Sequence, residues 1–336
     1  MQLRSANLRG KEGRVRDSHF TLQSPDGSVV VRFDIRPAPA PSRHAAGEPG
    51  CMFYGIRFKG RDVILDSQLG LELGGMPSLQ TNMQVVGTAT RSHDEVWTPV
   101  YGERASIADR YTELQIDLRE AIPPFRLLWL TFRAYDEGAA FRYTIPEQEG
   151  LGEFSITRER SCFRFPGGTI GYAEYWMEGP YHRVPVNEIE PRCERPLTLE
   201  YAEGMVACLA EAAVDDYSRM LLAPYRSEKH TLISDLSGTV RAVAPFSTPW
   251  RALIVGDRPG DLVERNDLIR NLNPPCAIED TSWIKPGKIV REITLSTSGG
   301  KACVDFARAH NLDYIHYDAG WYGHEYANAS DATAVS

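Results

Sequence analysis

The sequence predicts a mainly β protein, in which an antiparallel β-sandwich is followed by a short segment of parallel α/β character. From about residue 18 to about residue 255, short apolar runs alternate with turn residues and predict strands that follow one another without intervening helices. After about residue 275 the pattern changes to strand, helix and strand, which is typical of a parallel strand pair. The chain has 336 residues, 42% of them hydrophobic, which is enough for a sizeable core.

Three hairpins are predicted from their turns. Pro-Asp-Gly at 25–27 separates the first two strands, residues 59–60 join the runs CMFYGIRF and RDVILDSQLGLEL, and residues 136–138 join RLLWLTFRAY and AAFRYTI. Proline, alanine and glycine dominate residues 36–50, which we expect to form a long exposed loop. Further strands are predicted at 154–165, 196–202, 219–225, 238–244 and 251–256.

Two later segments have patterns that do not simply predict strands. The Ala-rich segment 203–220 favours a helix by propensity, but its periodicity leaves strand and helix equally open. Residues 260–275 indicate a short helix with Asp261 as its N-cap and a Pro-Pro stop. Beyond it the pattern predicts a β-α-β unit. Its strand, helix and strand are expected at 277–284, 299–311 and 312–320.

Composition and charge exclude several classes of protein. No run approaches the roughly 18 apolar residues of a membrane span, and the net charge of −8 argues against a nucleic-acid partner. The six cysteines are too scattered for a zinc site or a redox motif. Residues 1–17 carry a basic excess without an apolar stretch. We therefore expect a disordered lead-in and no signal peptide in this chain, so that either the protein as written is cytoplasmic or its true start lies elsewhere.

Nine short motifs occur in an order that carries a family resemblance. They are SPDG at 24–27, DEVWTPVYGE at 94–103, FRAYDEGAAFRY at 132–143, PLTLE at 196–200, EAAVDDYSRMLL at 211–222, PFSTPWRALIVG at 245–256, NLNPP at 271–275, DTSWIKPGK at 280–288 and YDAGWYG at 317–323. In these motifs the chain resembles glycoside hydrolase family 97, whose members hydrolyse α-glucosides or α-galactosides and are often exported to the bacterial periplasm. The resemblance implies an N-terminal β-supersandwich, a (β/α)₈ catalytic barrel and a small C-terminal β domain. It also places the Ala-rich segment in the sandwich, so a strand is expected there.

After the disordered lead-in at 1–17, the resemblance implies an N-terminal β-sandwich domain at 18–275 and the beginning of a TIM-barrel catalytic domain at 276–336. A TIM barrel takes about 250 residues, so the last segment holds only the first strand, helix and second strand of an incomplete (β/α)₈ barrel. We expect a truncated and inactive α-glycosidase, because the family's catalytic carboxylates would lie beyond residue 336. The alternative is a non-catalytic carbohydrate-binding β-sandwich module. The expected partner is an oligosaccharide or α-glycoside substrate, with no nucleic acid and no membrane.

Glu178 is the predicted metal ligand. The resemblance implies a Ca²⁺ ion held partly by a glutamate of the sandwich, and hard oxygen ligands suit that ion. Glu178 fits best by its distance to the PLTLE motif, with Glu174 and Glu188 as competitors. The alternative is a solvated loop glutamate.

Asp318 and Trp321 are the predicted substrate contacts. Asp318 ends the second predicted barrel strand, where barrel active sites are built, and Trp321 follows in the loop with a ring that suits stacking on a sugar. Loop capping by Asp318 and rim packing by Trp321 are the alternatives. Arg133, Arg142 and Asp136 of the central hairpin are expected to supply internal ion pairs and turn contacts of the sandwich.

Overall fold

The structure, a computed structural model, describes residues 18–37, 48–202, 204–324 and 327–331. These residues fall into two compact units, each described by itself below. The sandwich unit runs as far as Trp97 and resumes over Ile107–Pro275, and the C-terminal unit comprises Thr98–Ser106 and the residues from Cys276 onward. The lead-in expected at 1–17 and most of the loop expected at 36–50 lie outside the described residues.

Strands dominate the sandwich unit. They are β1 (His19–Gln23), β2 (Val29–Arg36), β3 (Cys51–Phe58), β4 (Arg61–Leu69), β5 (Leu71–Leu73), β6 (Met83–Trp97), β7 (Ile107–Glu120), β8 (Leu127–Tyr135), β9 (Gly138–Ile145), β10 (Glu153–Glu159), β11 (Cys162–Arg164), β12 (Ile170–Ala173), β13 (His182–Pro185), β14 (Leu197–Glu200), β15 (Val206–Ala212), β16 (Met220–Pro224), β17 (Thr231–Leu236), β18 (Val240–Val243), β19 (Phe246–Ser247) and β20 (Trp250–Gly256). A 3₁₀ turn spans Val186–Glu188, and two short helices follow β20, α1 (Pro259–Glu264) and α2 (Asp267–Asn271).

The strands of this unit pair antiparallel in three sheets. A seven-stranded sheet has the order β1-β2-β3-β4-β11-β17-β16, and a small sheet has the order β18-β10-β5. The ten-stranded sheet has the order β13-β12-β14-β15-β20-β9-β8-β7-β6, with β19 pairing on β9. The predicted antiparallel sandwich is therefore confirmed.

The core lies between the two large sheets because side chains alternate along each strand. In β8, Phe132 faces inward and Arg133 lies on the opposite face. The Phe132 ring centre is 5.9 Å from that of Phe33 in β2, and the Phe141 ring centre in β9 is 4.9 Å from that of Tyr54 in β3. The seven-stranded and ten-stranded sheets thus pack face to face. The other face of the ten-stranded sheet, which carries Arg133, is called the outer face below.

The predicted hairpins are confirmed. Lys59 and Gly60 both have positive φ, 49° and 79°, as the tight turn between β3 and β4 requires. A two-residue turn joins β8 to β9, with Tyr135 opposite Gly138. The Ala-rich segment forms β15, as the resemblance implies, because pairing with both β14 and β20 outweighs its helical propensity.

The helix predicted at 260–275 is two short helices, and its proposed N-cap is wrong. Asp261 lies at the third position of α1, where its carboxylate accepts the backbone N–H groups of Asp257 at 2.9 Å and Arg258 at 3.3 Å. An acidic side chain at the third helical position reaches back to the backbone N–H of the N-cap residue, so Asp261 satisfies donors that lie just before the helix and not those of its first turn.

The C-terminal unit contains β21 (Ile289–Glu292), α3 (Thr297–Ala309) and β22 (Tyr314–Tyr317), and its two strands pair parallel. The first strand was expected at 277–284, and that position is wrong. Asp280 accepts the N–H of Ser282 at 2.9 Å, and a turn closes from Thr281 to Ile284, so local side-chain bonding replaces an extended strand. The β-α-β order is observed, and its place in a barrel stays a prediction. None of the described helices is long and apolar enough to cross a membrane.

Candidate functional site

Glu178 lies in a tightly held loop between β12 and β13. Its φ is +63°, and the following Gly179 donates its N–H to the Trp176 carbonyl at 2.9 Å and to a carboxylate oxygen of Glu174 at 3.1 Å. A Cβ on Gly179 would come within 2.8 Å of the Trp176 carbonyl oxygen, so the turn accepts only glycine there without shifting. The loop therefore holds Glu178 at its exposed tip.

The residues around Glu178 do not fit a calcium site by themselves. Within the described ranges, no group of three or more His, Cys, Asp or Glu side chains is arranged to hold a metal ion. Glu174 is used as an acceptor within the loop, and Glu188 is an exposed residue at the end of the 3₁₀ turn. Ca²⁺ prefers six to eight oxygen ligands, of which this loop supplies one free carboxylate.

The loop that carries Glu178 also exposes large side chains to solvent. Trp176, Met177 and Tyr181 are 56%, 69% and 62% exposed. Tyr175 is turned inward and packs against the core, with its ring centre 5.5 Å from that of His182. Two large aromatic side chains thus stand in solvent on a constrained backbone.

Trp321 lines a cleft in the C-terminal unit, and Asp318 is ion-paired. The cleft has a volume of about 550 Å³ and is bounded by Thr297, Gly300, Lys301, Val304, Asp305, Ile315, Tyr317 and Trp321. The ring centres of Tyr317 and Trp321 are 6.2 Å apart. Asp318 pairs with Arg291 of β21 and is not part of the cleft wall. Asp318 and Trp321, the two predicted substrate contacts, therefore do not line the same cleft.

A second cavity, of about 390 Å³, lies in the sandwich unit. It is lined by Thr157, Arg158, Glu159, Arg160, Ala223, Tyr225, Ile233, Ser234, Asp235, Leu236, Gly238 and Thr239. Sequence reasoning missed it because β10, β16 and β17 come together only in the fold, and no motif links them.

Neither cavity presents a free pair of carboxyl groups. The cleft beside α3 has one carboxylate, that of Asp305. In the sandwich cavity Glu159 is ion-paired with the buried Arg251, and Asp235 pairs with Arg192 at 2.9 Å. Glycoside hydrolysis normally needs two carboxyl groups flanking the bond, so these two cavities do not hold that machinery.

The buried charges of the sandwich form a continuous network. Glu159 accepts hydrogen bonds from Arg251 at 2.7 Å, Ser161 at 2.7 Å and Tyr217 at 2.9 Å, and Arg251 also donates to Glu211 at 2.7 Å. Burial favours the neutral form of Glu159, but the charge and hydrogen bonds of Arg251 outweigh it and hold the pKa below its usual value. Both partners are fully buried, so the pair is structural.

The expectation for the central hairpin holds for two of its three residues. Arg133 donates to Glu113 at 2.8 Å, and Asp136 accepts the N–H of Asp26 at 2.8 Å, which ties two turns together. Arg142 was also expected to form an internal ion pair. It forms none with the described residues, and its guanidinium instead lies over the ring of Trp250.

The fold and its sites define a class of protein, a large antiparallel β-sandwich joined in sequence to a parallel β-α-β unit. A family model described as glycosyl-hydrolase 97 N-terminal matches residues 22–275. The chain belongs to glycoside hydrolase family 97.

Two curated relatives and several solved structures are similar to this chain. The retaining alpha-galactosidase of Bacteroides thetaiotaomicron is 24% identical, with 90% of this chain and 50% of that protein covered. The probable retaining alpha-galactosidase of Streptomyces bingchenggensis is 28% identical, with 91% and 47% covered. The chain thus spans about half the length of the curated relatives it matches.

Among solved structures, a glycoside hydrolase family 97 enzyme of Pseudoalteromonas sp. strain K8 is 27% identical with a TM-score of 0.79. It covers 90% of this chain and 48% of its own, and its structures include complexes with panose and with acarbose. A beta-arabinopyranosidase shares the fold, with a TM-score of 0.75 at 19% identity.

Proposed function

We propose that this protein serves the hydrolysis of α-galactosidic or α-glucosidic bonds in oligosaccharides. The observation that carries the proposal is the family match over residues 22–275, which spans nearly the whole sandwich unit. The names of the two curated relatives and the sugars bound to the Pseudoalteromonas enzyme support an oligosaccharide as the substrate class.

We further propose that the 336 residues do not hydrolyse these bonds by themselves. The support is that the two cavities described above lack a free carboxyl pair to act as acid and as base or nucleophile. In this proposal the sandwich is the scaffold of the family enzyme, and the β-α-β unit is the beginning of its catalytic barrel.

The test combines turnover with binding. The purified 336-residue chain is assayed on aryl α-galactosides and α-glucosides with and without a chelator, and titrated calorimetrically with melibiose and maltose. We expect no turnover. Turnover abolished by chelation would contradict the proposed inactivity and establish the activity. Absence of both turnover and binding would argue against any role of this chain in handling the sugar.

A carbohydrate-binding module is the second candidate, and the exposed Trp176 and Tyr181 favour it. Exposed aromatic rings on a preformed backbone bind with little ordering cost. If this candidate is correct, disaccharide binding occurs without turnover and is lost in Trp176→Ala, whereas Trp283→Ala, which removes an exposed tryptophan of the other unit, leaves it unchanged.

Glu178 is the proposed contribution of the sandwich to a Ca²⁺ site whose other ligands are not among the described residues. The measurement is a calcium titration followed by thermal unfolding. A calcium-dependent rise in Tm that Glu178→Gln abolishes and Glu188→Gln preserves supports Glu178 as the ligand, and the reverse pattern rejects it.

A further inference from the structure

Arg142, on the outer face of the ten-stranded sheet, is a charged side chain without an ion-pair or hydrogen-bond partner among the described residues. It lies in β9 and is only partly exposed, and its Nε is buried without a hydrogen-bond acceptor. No hydrogen bond or ion pair joins its guanidinium to any residue in the described part of the chain. Buried polar atoms in proteins normally have a hydrogen-bond partner, and the Nε of Arg142 is an exception among the described residues.

The neighbours of Arg142 increase the positive charge around it. Strand register places Arg91, Glu113 and Arg133 side by side on β6, β7 and β8. Glu113 is shared, because Arg133 donates to it at 2.8 Å and the Nε of Arg91 lies 2.7 Å from its other oxygen. One carboxylate thus accepts hydrogen bonds from two arginines, and the Nε of Arg142 has no acceptor among the described residues. Burial, and then the charge of Arg133, lower the pKa of Arg142.

Trp250 of β20 holds the two inner arginines in place. The guanidinium carbons of Arg142 and Arg133 lie 4.4 Å and 4.7 Å from the centre of its ring, which is only 1% exposed. Trp250 belongs to an apolar cluster with Leu268 and Leu272 of the α2 region. Thr131 lies directly opposite Arg142 on β8. The arginines are therefore oriented before any ligand arrives.

We propose that Arg142, with Arg133 and Arg91 beside it, binds a small anion through a carboxylate or phosphate group on the outer face of the sheet. A planar guanidinium forms two parallel hydrogen bonds to either group. The anion supplies the acceptor that the Nε of Arg142 lacks and offsets the positive charge of Arg133 and Arg91 beside it. This site goes beyond the proposed glycosidic function and does not depend on it.

The test uses the full 336-residue chain at low ionic strength, because salt screens a partly exposed site. Inorganic phosphate and glucuronate are titrated separately by calorimetry and thermal unfolding, with glucose as the uncharged control. We expect saturable binding of at least one anion with a rise in Tm, and none with glucose. The probe that binds more tightly shows whether the site prefers a phosphate or a carboxylate group.

Two variants locate the site. Arg142→Gln weakens binding by about tenfold or more, whereas Arg226→Gln, which removes an exposed arginine paired with Glu190, leaves it unchanged. The Tm of Arg142→Gln without anion checks that the variant folds, because the substitution also removes the contact between the guanidinium and the Trp250 ring. If it does not fold, Arg142→Lys keeps the charge without the bidentate fork and still weakens binding. Equal binding by wild type and a folded Arg142 variant, or no saturable binding of either anion, overturns the proposal.

Discussion

Replacing Glu159 by glutamine removes one partner of the buried ion pair at the centre of the sandwich. Glu159 and Arg251 are each 1% exposed, and the carboxylate accepts from Arg251, Ser161 and Tyr217. The NH₂ group of glutamine is a donor, so it cannot accept the hydrogen bonds that the replaced carboxylate oxygen accepts. Arg251 then keeps only its ion pair with Glu211. Breaking a buried pair in this way costs about 3–5 kcal/mol, because the remaining charge stays desolvated. That is a large share of the roughly 5–15 kcal/mol typical of domain stability.

Equilibrium urea unfolding, followed by far-ultraviolet circular dichroism, measures the effect as a change in midpoint at constant slope. The matched control is Glu190→Gln, which breaks an exposed pair with Arg226 at 2.9 Å and costs at most about 1 kcal/mol. A loss below about 1 kcal/mol for Glu159→Gln would refute the assignment of the pair as a buried structural element.

The same pair predicts an acid dependence. Because the folded state depresses the pKa of Glu159, its contribution is present at neutral pH and is lost as pH falls through that pKa. In Glu159→Gln this contribution is absent at all pH values, so the stability gap between variant and wild type narrows in acid. A gap that stays constant with pH would show that the carboxylate charge is not its cause.

Three further predictions concern other parts of the chain. Burial raises the pKa of Glu137 from 4.5 to about 7, so the folded state keeps a proton that the unfolded state releases, and stability falls as pH rises across that interval. Glu137→Gln should flatten this slope in urea midpoints, and an unchanged slope speaks against the carboxyl. In Gly138→Ala the new Cβ overlaps the Leu253 carbonyl oxygen, which should lower the free energy of unfolding by about 1–3 kcal/mol. The control Gly152→Ala places its Cβ in open space and should be tolerated. Equal urea midpoints for the two variants would contradict this packing. Backbone amides of α3 should exchange faster than those of β20, because the helix buries only two of its residues, and equal protection would contradict this.

The local turns of this protein are readable from its sequence. Residues 59–60 and 136–138 close hairpins, and their signals are local, because Gly60 adopts a positive φ without strain and aspartate, as at Asp136, favours turns. The first strand of the C-terminal unit was placed too early for a related reason. Its apolar pattern at 277–284 resembled a strand, but Asp280 bonds its own backbone two residues on, and a parallel strand forms only where β22 can pair with it.

The candidate site depended far more on tertiary structure. Glu178 and Trp321 were found through motifs, and the structure adds that one stands on a loop tip and the other lines a cleft. Arg142 was expected to form an ion pair and forms none with the described residues. The sequence shows which charges a hairpin carries, but not which acceptors its neighbours already use.

By itself, the sequence determined the fold class, the order of the hairpins and the family, because alternation, turn chemistry and motif spacing are local properties of the chain. Tertiary structure alone decided that Glu159 meets Arg251 across 92 positions, and that Glu113 is shared by two arginines while Arg142 has no ion pair with any described residue. Strand pairing and the burial of charge are energies between distant residues, and no local pattern records them.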